Sequence, residues 1–176
     1  SYGTLGLITE LTFKLRPLPA ESRTVVATGS LASLISAGRK AFTQLTPVAI
    51  ELISRRLAKD LQLANSSECA LMMRFVGSSR SVVTQTAQAL KLLRDDGNRC
   101  ATFDEEAQPW AKLSALPLHS ADELKWRLAL RPTDLAAFLG EMGELEDDES
   151  SHPELRWHAG LGDGRLRAIA RTPVYH

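Results

Sequence analysis

The residues most able to do chemistry lie near the end of the sequence, around a single histidine. His158 sits in an apolar stretch after Trp157, and Gly162-Asp163-Gly164 follows it. A histidine on an alternating strand points away from its neighbour, so His158 and Trp157 should occupy opposite faces. Two readings stay open for His158: a partly buried, hydrogen-bonded side chain, or a catalytic base or substrate contact.

Three arginines are the next candidates. Arg127 lies between Trp126 and Leu128, so it is either a solvated strand residue or a clamp for a substrate carboxylate, which a guanidinium binds through two parallel hydrogen bonds. Arg165 and Arg167 are two residues apart and therefore share one strand face. That face is either solvated or a docking surface for a partner.

Composition places the chain among ordinary globular proteins. Of 176 residues, 44% are hydrophobic and 24% charged, and 21 basic side chains balance 21 acidic ones. We therefore expect no nucleic-acid partner, and no apolar run is long enough for a transmembrane segment. Cys69 and Cys100 lie in apolar stretches without a CxxC motif, which indicates buried thiols in a reducing, cytoplasmic compartment.

These residues must be positioned by alternating strands and helices. Periodicity predicts strands near 24–28, 47–53, 69–76, 100–103, 124–130, 155–160 and 166–170, with helices near 31–45, 55–63, 79–94, 109–116 and 133–145. Ser30 and Thr133 are candidate N-caps, and Asp163-Gly164 between two apolar runs predicts a hairpin. The order predicts an α+β fold built from ferredoxin-like β-α-β repeats: a mainly antiparallel sheet with the three long helices, near 31–45, 79–94 and 133–145, on one face.

The first nineteen residues differ from the rest. Residues 5–15 alternate as a strand or hairpin arm would, and Arg16-Pro17-Leu18-Pro19 stops the ladder. We place a domain boundary here, with residues 1–19 as the C-terminal edge of one domain plus a proline connector and residues 20–176 as a second domain. Because the sequence opens directly on this strand pattern, we expect it to be a piece of a longer protein.

The N-terminal stretch also carries a family resemblance. Ser1-Tyr2-Gly3-Thr4-Leu5-Gly6-Leu7-Ile8-Thr9 resembles the segment that closes the FAD-binding domain in vanillyl-alcohol-oxidase-type flavoproteins, ahead of a proline connector and a cap domain. The resemblance implies FAD as the cofactor of the full-length protein. It assigns FAD contacts, mostly through backbone, to Gly3, Thr4, Leu5, Gly6 and Ile8.

Two later stretches show a looser resemblance to the cap domain of the family that includes the E subunit of bacterial glycolate oxidase. They are Trp126-Arg127-Leu128 and the run from Leu155 to Gly162. The resemblance implies an FAD-linked oxidoreductase subunit acting on a small 2-hydroxy acid, glycolate or D-lactate, with a second flavin subunit and an iron–sulfur subunit as partners. It also implies a cytoplasmic complex that can lie peripheral to the inner membrane, and a fragment that is inactive alone.

One departure from a related motif bears on catalysis. Catalytic FAD-linked 2-hydroxy-acid dehydrogenases carry a His-x-His-x-Gly-Asp-Gly-Asn-x-His stretch whose histidines bind a divalent metal. Here Gly162-Asp163-Gly164 is kept, but Arg165 replaces the asparagine and Arg167 the last histidine. Two arginines would repel a dication, so we expect no metal. The departure favours an alternative: a non-catalytic assembly module that docks the partner subunits.

Overall fold

A computed structural model describes residues 9–14, 18–64, 68–103, 107–115, 123–147 and 155–171. The strands are β1 Glu21–Gly29, β2 Ala49–Ile53, β3 Cys69–Gly77, β4 Arg99–Phe103, β5 Glu123–Ala129, β6 Arg156–Gly160 and β7 Arg165–Arg171. The helices are α1 Leu31–Gln44, α2 Arg55–Asp60, α3 Ser79–Asp95, α4 Ala107–Ala115 and α5 Pro132–Asp147. Every strand pairing is antiparallel, in the sheet order β4-β1-β3-β2-β6-β7-β5.

Local sequence signals mark two of the helix ends. The Ser30 side chain accepts a hydrogen bond from the Ser33 backbone N–H at the start of α1, as predicted. Gly97, with φ of +80°, follows α3 and lets the chain leave the helix. The predicted cap Thr133 is wrong, because α5 begins one residue earlier at Pro132, where the missing proline N–H needs no partner. Thr133 instead donates its hydroxyl to the Asp134 side chain.

The first four strands form a complete ferredoxin-like unit. The order along the chain is β1-α1-β2-β3-α3-β4 with the short α2 inserted before β3, and the spatial order is β4-β1-β3-β2. In such a unit each long helix joins two parallel strands that have a third strand between them. The prediction of an α+β fold with a mainly antiparallel sheet is confirmed.

The remaining elements repeat most of that unit. Along the chain, β5-α5-β6-β7 follows the order of β1-α1-β2-β3, and the spatial order β5-β7-β6 matches β1-β3-β2. The two units meet where β2 pairs antiparallel with β6, so a pseudo-two-fold axis passes between these strands. A two-fold axis perpendicular to the sheet keeps α1 and α5 on the same side, where they contact each other.

The larger core lies on the side of the sheet that carries α1, α3 and α5, which we call the helical face. It includes Val25, Leu71, Trp157 and Leu166, all at most 1% exposed. The prediction that the three long helices share one face is confirmed. On the other side, the opposite face, α2 and α4 cover a smaller cluster that includes Val26, Ile53, Leu57, Met72 and Leu113. Trp110 of α4 joins that cluster and donates its indole N–H to Thr24.

The described part of the N-terminal segment, residues 9–14, does not join this sheet. Residues 9–14 form no strand, and Leu11 and Phe13 are 65% and 77% exposed, so the predicted strand over 5–15 is wrong for its described part. The physical reason is that alternation alone makes no strand without a neighbouring strand to accept its hydrogen bonds. The candidate FAD contacts Gly3, Thr4, Leu5, Gly6 and Ile8 lie outside the described residues. Among the helices of the described ranges, none is long and apolar enough to cross a membrane.

Candidate functional site: a cationic cleft beside His158

Strand register brings three basic side chains into one row. Arg127 of β5 pairs with Arg167 of β7, and Arg167 pairs in turn with His158 of β6. Directly opposed residues share a face, here the opposite face, with Cβ atoms about 4.5–5.5 Å apart. Like charges at this spacing oppose sheet formation, so the Arg127–Arg167 pair is an unfavourable arrangement that a bound anion would relieve.

The row lines a small cleft. Its volume is about 220 Å³, and it lies between the C-terminal strands and α2. The residues that line it are Leu57, Lys125, Trp126, Arg127, Arg156, Trp157, His158, Arg167, Ala168 and Ile169. Four of these carry a permanent positive charge and none is acidic, so the local field favours a small anion.

One of the four cations in the cleft forms an ion pair with a carboxylate, and the other three can bind a ligand. Arg156 donates from Nε to Asp60 Oδ2 at 2.6 Å, which ties the floor of the cleft to α2. No ion pair joins Lys125, Arg127 or Arg167 to a carboxylate in the described ranges. Lys125 and Arg127 are exposed and Arg167 is half-buried, so all three can reach a ligand in the cleft.

His158 lies at the inner end of the row. Its Nδ1 atom is 2.9 Å from Oε2 of Glu51, and its side chain is only 10% exposed. The carboxylate accepts a hydrogen bond, which places the proton of a neutral imidazole on Nδ1 and leaves a lone pair on Nε2. Nε2 is buried and has no hydrogen-bond partner among the described residues. A buried nitrogen that is held in one tautomer and has a free lone pair can accept a proton or hydrogen-bond a ligand hydroxyl.

Two hydrogen bonds between Ser54 and Trp157 hold β6 in the register that places His158 beside Glu51. The Trp157 N–H donates to the Ser54 side chain at 3.1 Å, and the Ser54 N–H donates to the Trp157 carbonyl at 3.0 Å. Ser54 is fully buried at the end of β2. The β2–β6 pairing therefore fixes His158 opposite Ile53 and next to Glu51.

Of the predicted site residues, the structure places His158 and Arg127 on one face of the sheet, in the same cleft. His158 and Trp157 occupy opposite faces, and Lys125 lies on the same side as Arg127, as the alternation predicts. Arg165 shares that face with Arg167, but its Nε lies 3.3 Å from Asp163 Oδ2, so its charge is partly neutralised.

Sequence reasoning missed Glu51 and the pairing of Arg127 with Arg167. The available signal for Glu51 was a lone acid inside the apolar strand Ala49–Ile53, where a carboxylate taken out of water needs a partner. The sequence pattern groups Arg167 with Arg165 alone. That Arg127 lies beside Arg167 on the neighbouring strand depends on the order of the strands in the sheet, which no local pattern encodes.

Metal binding stays a prediction. Within the described ranges, no cluster of three or more His, Cys, Asp or Glu side chains could hold a metal ion. We continue to expect no metal at His158, and elemental analysis of the purified protein checks it: stoichiometric zinc, manganese or iron would contradict the expectation.

Comparison with known proteins gives a fold relationship. No protein-family model matches the sequence, and no curated protein matches it either. Among solved structures, alkyldihydroxyacetonephosphate synthase matches in two crystal forms. One has a TM-score of 0.62 at 12% identity over 90% of this chain, and the other a TM-score of 0.63 at 11% identity over 90%. The chain spans 38% and 37% of the length of these structures. At this identity the likeness establishes a shared fold.

Proposed function

We propose that the chain is the substrate (cap) domain of an FAD-linked oxidoreductase and that its cationic cleft binds a small carboxylate substrate. Its fold is shared with alkyldihydroxyacetonephosphate synthase, and its N-terminal stretch resembles the segment that closes the FAD-binding domain in vanillyl-alcohol-oxidase-type flavoproteins. The observation that carries the substrate class is the in-register row of Arg127, Arg167 and His158 in a cleft lined by no acid.

The N-terminal segment supports the division at residue 19. Leu11 and Phe13 are 65% and 77% exposed, and no described strand pairs with them. Apolar side chains that alternate without a partner fit a strand completed by another domain. We propose that residues 1–19 belong to the flavin-binding domain and that Gly3, Thr4, Leu5, Gly6 and Ile8 contact FAD there. No described residue of the cap domain is assigned to FAD itself.

A small 2-hydroxy acid, such as glycolate or D-lactate, fits the cleft. Such a molecule offers one carboxylate and one adjacent hydroxyl as its polar handles. Arg127 and Arg167 supply two guanidinium groups across adjacent strands, which can bind a carboxylate through charge-assisted hydrogen bonds. Arginine suits this purpose better than lysine, because the planar fork of the guanidinium group matches the geometry of a carboxylate.

His158 would act on the hydroxyl of the same substrate. With Nδ1 held by Glu51, the free Nε2 lone pair can take the hydroxyl proton as the carbinol carbon is oxidised. The developing imidazolium is then stabilised by the Glu51 carboxylate, as in other histidine–carboxylate pairs. Bound FAD would supply the acceptor for the hydride that leaves the carbinol carbon.

The assembly-module alternative uses the same charges differently. Exposed Lys125 and Arg127 would then meet an acidic surface of a second flavin subunit or an iron–sulfur subunit. These partners, and a cytoplasmic complex that lies against the inner membrane, rest on the sequence resemblance alone.

Steady-state kinetics of the full-length flavoprotein with its partners test the proposal. Arg127→Lys and Arg167→Lys keep the charge and remove the fork, so each should weaken substrate binding by about 1–3 kcal/mol. Arg80→Lys, on the exposed first turn of α3, is the matched control and should leave KM unchanged.

The KM and the recovery of partner subunits together distinguish the substrate clamp from the assembly module. A raised KM with normal recovery of partner subunits in a pull-down supports the substrate clamp. A normal KM with impaired pull-down supports the assembly module. Normal values for both would remove the two arginines from either account.

A further inference from the structure

The cleft contains a second row of side chains beside the row that ends at His158. Ile169 of β7 pairs with Lys125 of β5 and with Arg156 of β6. Each of the three stands two residues from a member of the first row, so both rows occupy the opposite face, about 6.5–7 Å apart along the strands. All three line the cleft. We call Lys125, Ile169 and Arg156 the second row.

Ile169 carries apolar surface that the core does not use. It is 7% exposed, yet it is the one buried apolar residue of the described ranges that belongs to neither core cluster. Leu57 of α2, which is 3% exposed, lines the same cleft. Two branched aliphatic side chains thus border a cavity of about 220 Å³. Water beside such a surface is unfavourable, so an apolar group of a ligand that displaces this water strengthens binding.

The two cations of the second row leave this apolar surface in place. Arg156 donates from Nε to Asp60, so its charge is already paired. Lys125 is exposed, and its long alkyl stem can lie along Ile169 while its ammonium group stays in water. The second row therefore presents mainly hydrocarbon to the cleft, whereas the first row presents guanidinium groups and an imidazole.

We propose that the substrate of this cleft is a 2-hydroxy acid with an alkyl side chain, and that Leu57 and Ile169 bind that side chain. We call these two residues the alkyl subsite. The inference rests on the proposed function, in which Arg127 and Arg167 bind the carboxylate and His158 contacts the hydroxyl. The remaining substituent of C2 then extends along the strands towards the alkyl subsite. Glycolate, whose C2 carries only hydrogen atoms there, leaves this surface in contact with water.

The length of the alkyl side chain sets the affinity. Transfer of one methylene group out of water strengthens binding roughly fourfold. Because the side chain takes no part in bond breaking at C2, this gain is the same in the ground state and in the transition state. A longer side chain should therefore lower KM and leave kcat unchanged until the cavity is filled.

Calorimetric titration of the full-length flavoprotein with acetate, propionate, butanoate and pentanoate tests the alkyl subsite. These acids carry no hydroxyl group to oxidise, so the titration reports binding alone. The Kd should fall roughly fourfold for each added methylene group. A Kd that stays constant or rises along the series would overturn the proposal.

Steady-state kinetics with glycolate, D-lactate and D-2-hydroxypentanoate separate this inference from the proposed function. A KM that falls along the series at constant kcat supports the alkyl subsite. If glycolate is oxidised with a KM that depends on Arg127 and Arg167, but KM does not fall along the series, the alkyl subsite is overturned and the proposed function stands. Oxidation of none of the three acids would overturn the proposed function, and with it the substrate named here.

Ile169→Val and Ile169→Thr are a matched pair, since the two new side chains have nearly the same shape. In Ile169→Val the ratio of the acetate Kd to the pentanoate Kd should stay within about fourfold of the native ratio. In Ile169→Thr the ratio should be at least about fivefold lower still, because a hydroxyl group replaces a methyl group beside the alkyl chain. Both Kd values come from the same protein sample, so a loss of folded protein affects them equally. The same ratio in all three proteins would overturn the role of Ile169.

Discussion

The Nδ1 atom of His158 lies 2.9 Å from Oε2 of Glu51, although 107 residues separate them along the chain. Glu51 stands on β2 of the first repeat unit and His158 on β6 of the second, so the contact crosses the pseudo-two-fold junction of the sheet. The other ring nitrogen, Nε2, is therefore oriented by a residue from the other half of the fold.

The first prediction concerns the tautomer of His158. In the native protein the proton should reside on Nδ1, because the Glu51 carboxylate accepts a hydrogen bond from Nδ1–H. Glu51→Leu removes the acceptor, and the Nδ1–H signal should disappear from long-range ¹H–¹⁵N spectra of the ring. Glu51→Gln keeps an oxygen acceptor and is the matched control, which should retain the native tautomer. Identical spectra for the native protein and Glu51→Leu would contradict the orientation.

Replacement of Trp157 and of Trp126 by alanine should have very different effects on the free energy of unfolding. Trp157 is 1% exposed in the main core, whereas Trp126 is 41% exposed on β5, and both stand in register with Ala168. In this chain, Trp157→Ala should reduce the free energy of unfolding by about 3–5 kcal/mol. Trp126→Ala should reduce it by less than about 1 kcal/mol. Urea denaturation followed by circular dichroism measures both, and comparable losses would show that the burial difference is wrong.

A pair of glycines gives opposite predictions for the same substitution. Gly140 lies in α5, and no neighbouring atom is within 4 Å of the position that a Cβ would take, so Gly140→Ala should stabilise the protein by about 0.5–1 kcal/mol. Gly164 has φ of +70°, and a Cβ there would strike the Leu130 carbonyl oxygen. Gly164→Ala should therefore destabilise by at least about 1–2 kcal/mol. Thermal unfolding of the two variants decides, and stabilisation of both would show that the 161–164 turn relaxes readily.

The fourth prediction is a pH dependence. Burial raises the pKa of the Cys100 thiol, and the nearby Arg94 charge lowers it by a smaller amount. A raised pKa in the folded state means that the neutral thiol contributes stability below the unfolded pKa, and this contribution is lost as pH rises through the folded value. The stability advantage of the native protein over Cys100→Ala should thus shrink above about pH 8.5. Denaturation at about pH 7 and about pH 10, on either side of the ordinary thiol pKa, measures it, and a growing advantage would reverse the sign.

The same shift affects reactivity. Thiolate is the reactive form, so Cys100 should be alkylated by iodoacetamide more slowly than a free thiol at neutral pH. Cys69 is only 2% exposed and should react more slowly still. Cys100→Ala isolates the Cys69 rate and serves as the control for this measurement.

Local patterns in the sequence determined the elements. Short apolar, β-branched or alternating runs placed the seven strands of the sheet, Ser30 marked the start of α1, and Asp163-Gly164 marked the hairpin between β6 and β7. Each of these signals acts within a few residues, because capping bonds, positive φ and side-chain alternation involve only neighbouring backbone. The α+β class with its three long helices on one face followed from their order.

Only the tertiary structure decided the site. Arg127, Arg167 and His158 form a row because β7 lies between β5 and β6, and Glu51 reaches His158 because β2 pairs with β6. Strand order and register depend on which apolar surfaces bury each other across many residues, a choice that periodicity leaves open. The same limit explains why residues 9–14 form no strand: they have the alternation of a strand, but no described neighbour supplies the hydrogen bonds that would make them one.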